Sequence, residues 1–331
     1  MKGLANKMLP NFFKIRVKLL LNFYRDFLLY RKYSTIFGLD GFYNKEAILI
    51  LQYHGVEKGL LFNPIRPKFA KDRVLKMHAL LSDIEISSKV NLSQVFIGYK
   101  IIIEYYDLHQ RMGIDISDYY SQDLYLKYKK IVGSVKNLNF ASGKVDYNRE
   151  DFYKNTQSFE EFAHSRKSIR SYTGAKIDIE TIKKAVKLAN TAPSVCNRQA
   201  SKVYLIENKK LIDSCLHIQG GFNGYIENVQ QLLIVTTDRQ YFYTVGERNQ
   251  FYIDGGIYLV NLLYALHFYK IAACPANWGK DISAEKALSK VVEIPEAEKI
   301  ICMVPIGVAP DKFSVTLSYR RDVDEVFKVI N

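Results

Sequence analysis

The chain has 331 residues, a length typical of two domains or of one domain with a long extension. Hydrophobic residues make up 48% and charged residues 24%, a composition that excludes a wholly disordered or collagen-like chain. The net charge is +13, and because residues 1–150 hold 24 Lys and Arg against 14 Asp and Glu, most of the excess belongs to the first half.

The N-terminal segment is apolar and basic. Its run from Phe12 to Tyr30 is interrupted by four cations, which excludes a cleaved export signal and a transmembrane helix. One alternative is that residues 1–33 make a weak contact with an anionic membrane surface. The other, which we favour, is that the apolar side chains pack on the rest of the protein: Phe12, Ile15, Leu19, Phe23 and Phe27.

The rest of the first half predicts helices and one loop. Apolar residues at three-and-four spacing indicate helices over Phe12–Tyr33, Lys71–Leu81 and Val95–Gln110. Between the first two, loop or extended chain is indicated by four breakers: Gly55, Gly59, Pro64 and Pro67. The polar stretch 133–155 then separates a mainly helical region, residues 1–150, from a second domain, residues 151–331.

Metal, disulfide and nucleic-acid chemistry find little support. His54 and Glu57 could supply two metal ligands at most, so no metal site is predicted. The four cysteines form no C-x-x-C pair, which favours a cytoplasmic location. The 24 tyrosines are spread along the whole chain without a recognised binding module, so no nucleic-acid partner is predicted.

Helices and strands alternate in the second half. Ser158 and Glu161 have the spacing of a capping box, and Asp178 can cap the next helix. Phe251–Tyr269 is apolar nearly all round and predicts a central helix that is covered on every side. Apolar runs rich in β-branched residues predict buried strands at Val203–Ile206, Leu232–Thr236 and Ile300–Ile306.

Three separated segments carry residues suited to an anionic ligand. In the sequence S-R-K-S-I-R-S-Y, Arg166, Ser168 and Arg170 alternate, so an extended backbone would place them on one side. The second segment is the loop A-P-S-V-C-N-R-Q at 192–199, which offers a hydroxyl, two amides and backbone N–H groups. The third is the pair Arg320 and Arg321 near the C terminus.

The order of these segments around the apolar helix, with A-C-P at 273–275 and I-G at 306–307, resembles the nitroreductase family of FMN-dependent oxidoreductases. The resemblance covers residues 157–331 and implies an α+β fold with a central mixed sheet flanked by helices. Residues 1–150 lie outside it, so the chain resembles a long variant with an extra N-terminal helical region.

The resemblance also implies how FMN would be held. Arg166 and Ser168 would bind its phosphate, and Arg170 would reach the pyrimidine edge, where a cation stabilises the charge of the reduced flavin. The 192–199 loop would contact FMN from the other subunit of a homodimer. The remaining cofactor-binding positions implied are Pro193, Ser194, Asn197, Gln199, Pro275, Ala276, Asn277, Arg320 and Arg321.

The implied reaction is a ping-pong transfer in which NAD(P)H passes a hydride to flavin N5 and a small-molecule electron acceptor then takes its place. No side chain is needed as a general acid, so no catalytic residue is predicted. The segment His54–Leu60 resembles long nitroreductase-like proteins of polysaccharide-biosynthesis loci. The alternative function is a membrane-surface accessory or scaffold protein whose nitroreductase-like half is catalytically silent.

Trp278, the only tryptophan, follows the 275–277 loop. It could narrow the space over the flavin and select the substrate, or it could pack in the core. The sequence leaves both alternatives open.

Overall fold

The computed structural model describes residues 11–33, 39, 41–135, 140–153, 158–242 and 245–330. The chain divides into two compact units. The sheet unit contains Asp146–Val315 and the start of the chain up to Lys18, and the helical unit contains Leu19–Val145 and the residues from Thr316 onward. The predicted boundary at 150/151 stays a prediction.

The helical unit is built on aromatic and aliphatic packing. Tyr99, Tyr105 and Tyr128 are fully buried in its core, together with Leu49 and Ile102. The three helices predicted in the first half are confirmed, whereas those at Phe42–Gly59, Ile84–Ser87 and Gln122–Ser134 were not predicted. The helix bounds are α1 Asn11–Tyr33, α2 Phe42–Gly59, α3 Lys71–Ser82, α4 Ile84–Ser87, α5 Ser93–Arg111 and α6 Gln122–Ser134.

The prediction of a loop at Gly55 and Gly59 is wrong, because both residues lie in the helix α2, which continues to Gly59. A Cβ on Gly55 would lie 2.4 Å from Nε of Arg73, and one on Gly59 would lie 2.2 Å from Cδ2 of Phe69. These glycines therefore allow close packing and do not form a turn. The expected loop starts after the end of α2 and contains Pro64 and Pro67.

The sheet unit has an α+β fold, as predicted, and the three predicted strands are confirmed. Its main sheet has the order Ser201–Ile206 (β2), Gln231–Asp238 (β3), Glu298–Gly307 (β6) and Ala272–Ala273 (β4), and Ala276–Asn277 (β5) also pairs with β6. These pairings are antiparallel throughout, whereas the resemblance implies a mixed sheet. The strand bounds are β1 Lys144–Asn148, β2 Ser201–Ile206, β3 Gln231–Asp238, β4 Ala272–Ala273, β5 Ala276–Asn277, β6 Glu298–Gly307 and β7 Lys312–Thr316.

The helices around the sheet begin where the caps predict. The Ser158 side chain accepts from the Glu161 N–H in a complete capping box, and Asp178 accepts from the Thr181 N–H. The helices of this unit are α7 Arg149–Phe152, α8 Phe159–Ser165, α9 Ile179–Ala189, α10 Lys209–Gln219, α11 Gln250–Phe268 and α12 Ile282–Leu288. In the helical unit, α13 spans Val323–Val326.

The central helix α11 is covered on one side and not on every side. Tyr258, Leu262 and Leu266 are buried in a cluster with residues of β3 and β6. The prediction of complete coverage is wrong, because an apolar row on the opposite side is between 39% and 59% exposed: Tyr252, Ile253, Ile257, Val260 and Phe268.

The packing predicted for α1 is also wrong. Phe12, Ile15, Phe23 and Phe27 are each about half exposed or more, between 48% and 60%. Across the described residues, no helix combines the length and the apolarity needed to cross a membrane.

Candidate functional site

The segment with the predicted phosphate-binding residues runs in extended form beside the sheet. The Ile169 N–H donates to the Ala273 carbonyl over 3.0 Å, and the Thr173 N–H donates to the Val308 carbonyl over 3.0 Å. The buried Tyr172 hydroxyl lies 3.0 Å from the carbonyl oxygens of both Ile169 and Pro305. The backbone of this segment is therefore fixed by β4 and by the end of β6.

Arg170 supplies a hydrogen-bond donor to this region. Its Nη1 is buried and has no hydrogen-bond partner among the described residues. Leaving a charged donor buried without an acceptor costs about 1–3 kcal/mol or more, so an acceptor from a ligand would stabilise the segment. A carbonyl oxygen or ring nitrogen at the edge of a flavin is such an acceptor, and Arg170 is therefore suited to FMN.

Arg166 lies next to a histidine that the sequence did not predict. His267 is 8% exposed, and its Nε2 is 2.7 Å from Ser165 Oγ. Because the Ser165 hydroxyl donates to the Phe162 carbonyl over 2.8 Å, the histidine Nε2–H must be the donor to Ser165. Burial, and secondly the Arg166 cation, lowers the pKa of His267 to about 4, so the ring is neutral at pH 7.

Tyr153 lies beside the same histidine. The two ring centroids are 5.6 Å apart, and the Tyr153 hydroxyl is buried without a partner in the described part of the chain. Its burial raises the tyrosine pKa, so the group remains a neutral donor. A histidine in the last turn of an apolar helix was the available signal for this cluster, whereas Tyr153 had none.

The 275–277 loop lies beside the Arg166–Arg170 segment. It follows Ala273, whose carbonyl accepts from Ile169, and Ala276 and Asn277 pair with Met303 and Cys302 of β6. The Gln219 side chain donates to the Asn277 carbonyl over 2.8 Å. The structure thus brings the 166–170 segment and the 275–277 loop together within the sheet unit.

Trp278 packs in the core. It is 4% exposed and belongs to one hydrophobic cluster with Leu288 and Met303. Its indole N–H is buried and has no acceptor within the described ranges. The alternative in which the ring packs in the core is therefore the one that the structure supports.

The 192–199 loop is held by the N-terminal part of α11. The Val195 N–H donates to Asp254 Oδ2 over 3.2 Å, and the Gln250 side chain donates to Oδ1 of the same carboxylate over 2.8 Å. The Gln199 N–H donates to Ser194 Oγ over 3.0 Å. Asp254 was not a predicted site residue, although an acid in an apolar helix was a signal; the side chain of Asn197 lies outside the described part.

A small cavity of about 100 Å³ adjoins this loop and is lined by Pro193, Ser194 and Gln199. Asp254 and Tyr258 of α11 complete the part of its wall that faces the helix. Three of the predicted positions therefore line one cavity.

Arg320 and Arg321 belong to the helical unit. The Arg321 guanidinium donates to Glu46 over 3.0 Å and to Glu325 over 3.3 Å, and the hydrogen bond with the buried Glu46 raises its pKa. Arg320 donates to the Ser318 carbonyl. The structure does not bring these two arginines into one unit with Arg166 and Arg170, and their phosphate role stays a prediction.

Two other features contain none of the residues implied to bind FMN. A cavity of about 660 Å³ between α12 and the start of β6 contains none of the predicted residues, and its Lys299 is paired with Glu285. His54 Nδ1 is 3.2 Å from Glu57 Oε2 in the helical unit. Within the described ranges, no group of three His, Cys, Asp or Glu residues could hold a metal ion.

One segment of the sheet unit matches a known protein family. Residues 163–220 match the family model described as the Nitroreductase family. The C-terminal half of the chain therefore carries a nitroreductase-family segment, which contains the 166–170 segment and the 192–199 loop. None of the curated proteins compared with the chain matches it.

Solved structures similar to the chain include the following three. A protein assigned as an NADH dehydrogenase/NAD(P)H nitroreductase from Parabacteroides distasonis is 20% identical, with 51% of this chain and 96% of that chain covered and a TM-score of 0.45. An FMN-dependent nitroreductase from Clostridium difficile is 18% identical, with 45% and 86% covered and a TM-score of 0.40. The FMN complex of a protein assigned as a nitroreductase from Desulfovibrio desulfuricans is 18% identical, with 54% and 99% covered and a TM-score of 0.43.

Proposed function

We propose that the protein is an FMN-dependent NAD(P)H oxidoreductase that acts on a small-molecule electron acceptor. The observation that carries the proposal is the buried Nη1 of Arg170, which has no acceptor among the described residues and lies within the family-matched segment. A donor of this kind is expected where a protein holds an anionic or electron-rich cofactor.

In this proposal each segment of the chain has a separate task. Arg166 and Ser168 bind the FMN phosphate, and Arg170 donates to the pyrimidine edge. The backbone of Pro275, Ala276 and Asn277 borders the reactive ring. When bound, FMN supplies the redox chemistry by taking a hydride from NAD(P)H and passing it to the acceptor in a ping-pong cycle. The remaining contacts assigned to the cofactor are those of Pro193, Ser194, Asn197, Gln199, Arg320 and Arg321.

The neutral state of His267 supports this assignment of Arg166. A protonated His267 imidazole would repel the nearby Arg166 guanidinium. Because the ring is neutral, Arg166 is the one cation of this pair. We infer that His267 and Ser165 keep the start of the phosphate-binding segment in place at neutral pH.

Homodimer formation is part of the proposal. The apolar row on α11 formed by Tyr252, Ile253, Ile257, Val260 and Phe268 is exposed in the single chain, and an exposed apolar surface of this kind is typical of an interface. The 192–199 loop is held by the same helix through Asp254. A second copy packed on α11 would therefore meet the loop that is proposed to contact the FMN of its partner.

We further propose that the acceptor is linked to polysaccharide biosynthesis and that the reaction takes place in the cytoplasm. The alternative of a catalytically silent scaffold is less well supported, because a silent domain has no need for a buried cationic donor, Arg170 Nη1, that finds no acceptor in the described part of the chain.

Flavin content of the purified full-length protein tests this function. We expect a yellow protein with about one FMN per chain that bleaches anaerobically on addition of NADH or NADPH. Light scattering should give the mass of a dimer. A colourless protein that takes up no added FMN would contradict the proposal, as would a flavin that neither nucleotide reduces.

A further inference from the structure

The helix α1 carries many large apolar side chains, and they are exposed to solvent. Each of ten large apolar residues leaves between 38% and 69% of its area open to solvent. Single exposed apolar residues are normal on a protein surface, but a continuous set along one helix marks a contact surface. The residues are Phe12, Phe13, Ile15, Val17, Leu20, Leu21, Phe23, Tyr24, Phe27 and Leu28.

Two cations of this helix, Lys14 and Lys18, lie on one side of it. Lys18 lies four positions after Lys14, so the two share one face of the helix. The segment 11–33 has six Lys and Arg against the single acid Asp26.

This pattern favours lipid over a second copy of the chain as the partner of α1. Two copies packed through α1 would bring like charges together, and Asp26 alone cannot neutralise them. An anionic lipid surface offers the opposite charge to Lys14 and Lys18 and an apolar layer to the phenylalanines. Amphipathic helices with Lys and Arg on one side and aromatic residues on the other bind in this way.

We propose that α1 docks the protein on an anionic lipid surface, with its axis in the plane of the interface. Phe12, Phe23 and Phe27 enter the boundary between headgroups and acyl chains, while Lys14 and Lys18 contact headgroup phosphates. Arg16 lies on the side opposite Lys14, among the phenylalanines, with its guanidinium 5.5 Å from the centre of the Phe12 ring, and its long side chain carries the charge from there to the headgroups. This inference is independent of the flavin site.

Sedimentation of the full-length protein with vesicles tests the proposal. The protein should sediment with vesicles of equal parts phosphatidylcholine and phosphatidylglycerol, and much less with phosphatidylcholine alone. High salt should release it, because the attraction between surface charges is screened. Equal sedimentation with both vesicle types, or none with either, would overturn the proposal.

Paired variants separate the apolar and the charged contributions. Phe23→Ser with Phe27→Ser should lower the partition coefficient at least about tenfold, because two aromatic side chains lose their apolar contact with the lipid. Lys14→Gln with Lys18→Gln should lower the partition coefficient on anionic vesicles about 25-fold, because the loss of each cation lowers it about fivefold.

Matched substitutions outside α1 provide the controls. Tyr43→Ser with Ile84→Ser removes two exposed apolar side chains of the helical unit, and Lys184→Gln with Lys187→Gln removes two exposed cations of α9. Both controls should sediment as the unchanged protein does. A Phe23/Phe27 variant that still sediments fully but turns from a dimer into a monomer would overturn the proposal in favour of a second copy.

Discussion

The N–H of Ile169 and the carbonyl of Ala273 are joined by a hydrogen bond of 3.0 Å. This bond fixes the segment that carries Arg166 and Arg170 to the strand that precedes the 275–277 loop. Two parts of the proposed flavin site, far apart in the sequence, are therefore held together by backbone atoms. Substitutions of the side chains should in consequence change ligand binding more than they change the fold.

Arg170→Met should weaken FMN binding without weakening the apoprotein. Methionine keeps much of the length of the side chain and removes the donor, and a lost charged hydrogen bond corresponds to about a 10- to 100-fold rise in Kd. The apoprotein should unfold at the same or a higher temperature, because Nη1 has no partner among the described residues to lose. FMN titration and thermal denaturation of the apoprotein measure the two effects.

Lys184→Met, on the exposed side of α9, is the control for this experiment and should change neither value. An Arg170→Met protein that binds FMN with unchanged affinity would remove Arg170 from the cofactor site. A strongly destabilised apoprotein would instead show that the guanidinium is a structural group.

The protein should lose stability as the pH falls from 6.5 towards 4. Burial, and for His267 also Arg166, lowers the pKa of His78 and of His267 to about 4. Between the unfolded pKa of about 6.5 and the folded pKa, the unfolded state binds more protons than the native state, so acid favours unfolding. Above pH 6.5 both states are neutral and the full stability is present.

His267→Gln isolates the contribution of this histidine to the pH dependence. The glutamine amide can donate to Ser165 as Nε2–H does, but it does not titrate. The difference in unfolding free energy between pH 7.5 and pH 5, measured by urea denaturation, should shrink in this variant. The exposed His164→Gln is the control. An equal difference in all three proteins would mean that His267 is protonated in the native state.

Trp278 gives a direct optical test of its burial. As the only tryptophan, it accounts for all indole fluorescence, and at 4% exposure its emission should be blue-shifted in the native protein and move to the red on unfolding. Trp278→Ala should cost about 3–5 kcal/mol, the range for removing a large aromatic residue from a core. Trp278→Phe should cost much less, because it keeps a ring and removes an N–H without an acceptor within the described ranges. Native emission typical of an exposed indole would contradict the core position.

The parts of the fold that the sequence predicts are those decided by neighbouring residues. Asp178 begins α9 because its side chain can reach the Thr181 N–H three residues later, whatever the rest of the chain does. The strands β2, β3 and β6 follow in the same way from short β-branched runs.

Contacts between distant residues decide the parts that sequence analysis missed. Gly55 and Gly59 have the composition of a loop, but the helix α2 uses them to pack against Arg73 and Phe69. In the site, the segment 166–170 lies outside the helices and strands, and the placement of Arg166, Ser168 and Arg170 on one side of it stays a prediction. No pattern among neighbouring residues predicts the contact between Tyr153 and His267, because that contact depends on the packing of α11.

The adjacent glycines 255 and 256 of α11 allow the packing of the helix on the sheet to be measured. A Cβ on Gly255 would lie 2.5 Å from both Ile301 Cγ1 and Thr237 Oγ1, whereas a Cβ on Gly256 would meet nothing within 4 Å among the described residues. Gly255→Ala should lower the unfolding free energy by about 1–2 kcal/mol, since the cost of overpacking exceeds the gain in helix propensity. Gly256→Ala should raise it by about 0.5–1 kcal/mol through helix propensity alone. Urea denaturation compares the two variants with the unchanged protein, and shifts of the same sign at both positions would mean that α11 does not approach β3 and β6 at Gly255.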